Sequence, residues 1–104
     1  MIRGTTPTIS MKLPSNVPVS AITSAMVSIK QVGRKEKIDK DISEMTMDAD
    51  TNCLMVRLSQ KETLSLFAQK TTDLQLKVKM SDGTVLATYP MPIAVVDVIN
   101  EEVI

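Results

Sequence analysis

The sequence predicts an all-β fold: an antiparallel β-sandwich of immunoglobulin-like form, with one short capped helix between two late strands. Three observations predict it. Short segments with apolar residues at alternate positions recur roughly every ten residues between turn signals, as in sandwiches and barrels. A single S-x-x-E capping box interrupts them late in the chain. An Asp-Gly pair between two alternating runs marks a tight hairpin. At 104 residues the chain has the commonest size of one domain and can bury about two-thirds of its unfolded surface. Residues 1–104 are therefore expected to form one sandwich domain, with an extended N-terminal arm over 1–7 and a C-terminal tail over 99–104.

The elements follow in order. Thr8 to Leu13 alternates Ile9, Met11 and Leu13 on one face with Thr8, Ser10 and Lys12 on the other, a half-buried strand that Pro14 ends. Pro14 to Pro18 is a loop. Ser24 to Val32 reads as a second strand with Val27 and Ile29 inward, although Val19 to Met26 also admits a helix. Gly33-Arg34-Lys35 marks a hairpin turn. Beyond it Ile38, Lys40 and Ile42 share one face of a charged strand, and charges of this kind suit a sheet edge. Asp48 to Asn52 supplies turn formers. The next strand, Cys53 to Leu58, points Leu54, Val56 and Leu58 inward and Met55 and Arg57 outward.

Ser59-Gln60-Lys61-Glu62 then matches the capping box, and Leu64 and Phe67, three apart, are expected to pin the short helix to the core. Leu74, Leu76, Val78 and Met80 alternate with Gln75, Lys77 and Lys79 in the clearest strand of the chain. Ser81-Asp82-Gly83-Thr84 follows as a hairpin of type I′. The final strand, Val85 to about Val98, carries Pro90 and Pro92, which cannot donate to a ladder and so place it at an edge or a bulge. Residues 1–7 hold no alternation, and Pro7 biases Thr6 toward an extended conformation. They are expected to leave the core as an arm. That arm, or the final edge strand, would mediate self-association or contact with a neighbouring protein.

Composition excludes several function classes. Twelve basic residues balance twelve acidic ones, so no overall field draws the molecule to nucleic acid or an anionic membrane. Tyr89 and Phe67 are the only aromatic residues, which removes the stacking platforms of single-strand binders. The lone Cys53 cannot form an internal disulfide and fits a reducing cytosol. The stretch from Met1 to Pro7 is too polar for a signal-peptide core, and no apolar run approaches the ~20 residues needed to cross a bilayer. A protein made in the cytosol, with neither nucleic acid nor membrane as partner, is the expectation.

No histidine occurs, which removes the commonest general base and metal ligand together. The expectation is a protein that is not an enzyme, with no catalytic, cofactor-binding or metal-ligating residues. Cys53, at a strand start without a suitable partner type nearby, reads as a small apolar residue rather than a nucleophile. Asp48-Ala49-Asp50-Thr51-Asn52 imitates the first half of a calcium loop. The imitation fails at the sixth position, Cys53 in place of glycine, and at the twelfth, Ser59 in place of a bidentate glutamate. Arg34, Lys35, Lys37 and Lys40 are interleaved with Glu36, Asp39 and Asp41, so a solvated edge is favoured over a phosphate site. Lys77 and Lys79 face solvent. Among eight methionines, Met11 and Met80 fall on inward faces, which favours core filling; Met26, Met45, Met47, Met55 and Met91 stay unassigned. Gly4, Gly33 and Gly83 are too scattered for a phosphate cradle.

The opening Met1-Ile2-Arg3-Gly4-Thr5-Thr6-Pro7-Thr8, the segment Leu58-Ser59-Gln60-Lys61-Glu62-Thr63-Leu64 and the segment Ser81-Asp82-Gly83-Thr84-Val85-Leu86-Ala87 resemble, in that order, stretches of a family of small proteins from phages and prophages of Gram-positive bacteria. The region from about Pro14 to Asp50 has no counterpart in that resemblance. The resemblance implies a virion-structural or tail-proximal protein, made in the host cytoplasm and carried in the virion. Its partners would be other phage structural proteins and, in a homo-oligomer, further copies of itself. It transfers no catalytic or binding residues. The alternative is an immunoglobulin-like binding module that recognises carbohydrate or a host surface component, with Tyr89 as the stacking face.

Overall fold

A computed structural model describes residues 1–104. Its elements run β1 (Thr8–Lys12), β2 (Ile22–Gln31), β3 (Ile38–Asp41), β4 (Met45–Asp48), β5 (Cys53–Arg57), α1 (Gln60–Leu64), β6 (Thr72–Met80), β7 (Val85–Ala87) and β8 (Met91–Ile93). They build two antiparallel sheets. One has the order β1-β5-β4; the other has the order β3-β2-β6-β7, with β8 also on β6. The fold is all-β, as the alternation predicts. The chain enters the five-stranded sheet for the β2–β3 hairpin, crosses to the three-stranded sheet for β4 and β5, and returns through α1 to β6.

Period-two patterning sorts the faces. Val27 and Ile29 from β2, Leu54 and Val56 from β5, and Leu74, Leu76 and Val78 from β6 are buried in one core to which both sheets contribute. Full burial of a side chain such as Ile29 or Leu54 contributes about 2 kcal/mol. Met11 and Leu13 join that core, and Ile9 and Met80 pack partly against it. The charged strand β3 is an edge of its sheet, as its composition predicts.

Several expectations are corrected. The stretch from Val19 forms only a 3₁₀ turn, Val19–Ala21, before β2 begins at Ile22. Ile42 does not continue β3: Ile42–Glu44 is a 3₁₀ turn capped by Asp41 and Glu44, and this turn carries the chain between sheets. β4 follows it where the sequence predicts no strand, because Met-Thr-Met-Asp carries neither a β-branched run nor an obvious inward face. The hairpin at Asp82-Gly83 is not type I′, which needs positive φ at both central residues. Only Gly83 has it, at 89°. The Gly83 amide reaches the Met80 carbonyl at 2.9 Å and the Met80 amide reaches Thr84 at 2.8 Å, a three-residue loop with a glycine bulge. The expected long last strand is broken into β7 and β8, which pair with opposite ends of β6. At the break Thr88 substitutes for the ladder: its amide donates to Leu76 at 2.9 Å and its hydroxyl accepts from the Leu76 amide at 3.0 Å.

The capping box forms as predicted, with Glu62 N–H on Ser59 Oγ at 3.1 Å and Ser59 N–H on Glu62 Oε1 at 2.8 Å. The residues that fasten the helix are different ones. Leu66 and Thr63 are fully buried, whereas Phe67 is 49% exposed and Leu64 half-buried. Lys40 of β3, its side chain 13% exposed, reaches Glu62 Oε1 at 2.8 Å and Glu44 Oε1 at 3.6 Å. The Glu62 hydrogen bond holds the Lys40 ammonium above its ordinary range. Burial pushes Glu62 up, but Lys40 and the Ser59 groups outweigh it and leave the carboxyl below its ordinary value. Glu62 therefore adds stability above the ordinary glutamate range that is lost as pH falls through its folded pKa. Lys40 adds stability below the ordinary lysine range that is lost as pH rises through its own.

The segment 1–7 does not leave the body as an arm. The Met1 ammonium donates to Ala94 at 2.8 Å, the Val96 amide to Met1 at 2.7 Å and the Arg3 amide to Val96 at 3.0 Å, so Ile2 and Val96 form a parallel bridge. Arg3 donates Nε to the Leu66 carbonyl at 2.7 Å and Nη2 to Leu64 at 2.9 Å, and its Nη1 pairs with Asp97 at 2.6 Å and Glu101 at 2.7 Å. Gly4 has φ of 76°, and a Cβ there would meet Leu64 at 3.2 Å. The Gly4 amide donates to the Thr63 hydroxyl, which donates to the Thr5 carbonyl. Thr6 to Pro7 has no strand of its own, and residues 97–104 lie outside any helix or strand. Because Leu66 and not Phe67 anchors the helix, Leu66→Ala should cost about 3 kcal/mol in urea unfolding and Phe67→Ala no more than about 1 kcal/mol.

Candidate interaction edge

The side chains singled out for chemistry are occupied in structural roles. Cys53 is buried at the start of β5, its thiol 3.5 Å from the Thr51 carbonyl. Asp48 turns its carboxylate onto its own loop, accepting from the Asp50 amide at 3.0 Å and from the Thr51 amide at 3.4 Å. Hydrogen bonds from the Thr51 side chain and amide hold its carboxyl below the ordinary range. Asn52 sits at φ of 54° and turns away from Asp48. Its amide nitrogen donates to the carbonyls of Leu13, Pro14 and Val17 at 3.1–3.2 Å, and its oxygen accepts from the Val19 amide at 2.9 Å. It ties the β1–β2 loop to the β4–β5 turn, a role its position in a D-x-D-x-N string conceals.

The basic cluster is dispersed. Arg34 donates to the Glu36 carbonyl and to Ser65, Lys40 is drawn into the carboxylate pair, and Lys35 and Lys37 stay exposed. Among the methionines, Met11 is buried and Met45, Met55 and Met80 are half-buried. Met26, Met47 and Met91 are exposed. Tyr89, 91% exposed, projects from the break between β7 and β8.

What the topology assembles instead is an open edge. β1 ends one sheet and β7 with β8 ends the other. Two adjoining clefts, of about 290 and 300 Å³, lie beside these strands. Leu13, Pro14, Leu76 and Thr88 line both; Val17 and Leu86 add apolar wall to one, Met91 and Ile93 to the other.

Among the outer strands, β1, β8 and β3 differ in what they offer. Just beyond the two ends of β1 the Leu58 amide bonds to the Pro7 carbonyl and the Leu13 amide to the Asn52 carbonyl, each at 3.0 Å. Antiparallel alternation then turns the amides and carbonyls of Ile9 and Met11 to β5 and those of Thr8, Ser10 and Lys12 to the open side. On β8, Pro92 lies opposite Asp73 while Met91 and Ile93 lie opposite Leu74 and Thr72. Pro92 therefore turns a nitrogen without hydrogen to the open side, and Pro90 precedes it. β3 is guarded by Asp39, which accepts from Ser28 at 2.6 Å, and by Asp41. β1 has neither proline nor acidic residue at its edge. Sequence patterning marks β1 as half-buried, but which strand lies beside it, and so which backbone groups stay unpaired, depends on long-range pairing.

Comparison with protein-family models finds no match to this chain, and comparison with curated proteins finds none. No three histidine, cysteine, aspartate or glutamate side chains converge as a metal-binding group, and no helix is long and apolar enough to cross a membrane.

Asn52→Ala should lose about 2–3 kcal/mol, from the unpaired carbonyls and amide together with the left-handed backbone. Millimolar calcium should leave the melting temperature of the native protein unchanged. A calcium-dependent rise in Tm that Asn52→Ala removes would instead make the turn a cation site.

Proposed function

We propose that this is a non-catalytic structural or assembly protein of a phage or prophage, acting through protein–protein contacts in or near the tail. The observation that carries the contact function is the unpaired edge of β1 beside an apolar cleft. A backbone that exposes alternating donors and acceptors is satisfied by an added strand, and the cleft receives that strand's inward side chains. The phage context rests on the resemblance of the opening segment, the Leu58–Leu64 segment and the Ser81–Ala87 segment. The absence of histidine and the engagement of Cys53, Asp48 and Asn52 in local packing support a role without catalysis.

An immunoglobulin-like sandwich is the architecture we infer for it. Three-stranded and five-stranded antiparallel sheets with a shared core, and strands that cross between them by a 3₁₀ turn and by α1, support this assignment. A second reading, a binding module for carbohydrate or a host surface component, is favoured by Tyr89 alone, whose exposed ring could stack on a sugar. One aromatic face without a neighbouring polar cluster supports it less than the open edge supports assembly.

Mass spectrometry of purified particles from an induced lysogen carrying the gene should find this polypeptide in the virion or in a tail-assembly intermediate. Its absence from both would overturn the assembly reading.

A further inference from the structure

We propose that the partner that completes β1 is β1 of a second copy, paired antiparallel about a two-fold axis through Ser10. The inference rests on the contact function proposed above and names its occupant. In this register Ser10 lies opposite Ser10 of the second copy, Thr8 opposite Lys12, and Ile9 opposite Met11. The backbone groups that β5 leaves unpaired belong to Thr8, Ser10 and Lys12. These are the residues that meet as hydrogen-bonded pairs in an antiparallel ladder centred on Ser10. The three-stranded sheets of two molecules become one continuous sheet.

Charge and polarity favour a second copy of this strand. The only charged side chain on the edge is Lys12, and the two-fold register sets it against the Thr8 hydroxyl rather than against the other Lys12, so like charges do not face one another. The inner face stays apolar across the junction, since Ile9 meets Met11 twice. Those side chains extend over the cleft bounded by Met91 and Ile93, the first of which is exposed in the single chain. Isologous pairing also repeats each contact, as closed two-fold dimers require. β3 and β8 offer no equivalent, because acidic side chains guard the first and Pro90 with Pro92 removes donors from the second.

Sedimentation equilibrium of the full chain, with Thr8→Lys, Thr8→Glu and Ser10→Pro variants, tests the register. Thr8 and Ser10 are exposed and point away from the core, and Thr8 lies opposite Arg57 of β5. A charge at position 8 shifts the thermal midpoint slightly through Arg57 but keeps the fold, as an unchanged circular-dichroism spectrum of the dilute monomer would verify. The native protein should form a concentration-dependent dimer. Thr8→Lys brings two lysine pairs together and should weaken dimerisation about fivefold; Thr8→Glu creates two opposite-charge pairs and should strengthen it by a similar factor. Ser10→Pro, which removes the central donor on the open side, should abolish it. A chain that stays monomeric at every concentration, or a dimer indifferent to both Thr8 substitutions, overturns the proposal. The outcomes are separable from the assembly reading: a monomeric protein found in purified particles overturns the second-copy contact alone, and a dimer absent from particles overturns the assembly reading alone.

Discussion

Register between β2 and β6, running antiparallel from Ile22 against Met80 to Gln31 against Thr72, is the constraint on which the other placements depend. These are the two longest strands, and every other member of the five-stranded sheet is added to one of them. With the register set, Val27 and Ile29 fall beside Leu76 and Leu74 on one face, and a slip of one residue would turn that face outward. Gln31 ends the inward series at full burial, and its amide is satisfied by the Phe67 backbone and the Thr72 hydroxyl. That network sets where the α1–β6 connection lies, and through Leu64 and Leu66 it sets what Arg3 grips. The docking of the first residues on 94–97 thus traces back to the same strand pair.

Strands with unbroken alternation were legible in the sequence because their patterning is local: β1, β2, β5 and β6 each repeat apolar residues with period two. The capping box was legible for the same reason, since Ser59 and Glu62 satisfy one another within a single turn. Elements decided by distant partners were not. Phe67 is the larger apolar residue, yet its backbone is held by the buried Gln31 side chain while its ring stays half exposed and Leu66 lies inside. β4 has little propensity of its own and exists because β5 presents an open side to it. The segment 1–7 lacks alternation and is held by Arg3 and Thr63, whose contacts lie about sixty or more residues away along the chain.

The interaction edge belongs to the second category. Ile9, Met11 and Leu13 could be assigned inward from spacing, but an edge is defined by what does not pair with it. Edge strands are ordinarily blunted by charge, by proline or by interruption. β3 uses charge, with Asp39 and Asp41, and β8, set off from β7 by the Thr88 break, uses Pro90 and Pro92. β1 carries none of these on its open side beyond the single charge of Lys12. An unguarded edge beside an apolar cleft is a liability in a protein that works alone and a ready contact in one that works by assembly.

Amide hydrogen exchange along β1, in protein dilute enough to be monomeric, tests the open edge most directly. The account predicts an alternating pattern: slow exchange at Ile9 and Met11, whose amides bond to β5, and at Leu13, whose amide bonds to Asn52, and fast exchange at Thr8, Ser10 and Lys12, whose amides face outward. Equal protection of both sets in the dilute monomer would contradict it, because β1 would then be paired on both sides within a single chain.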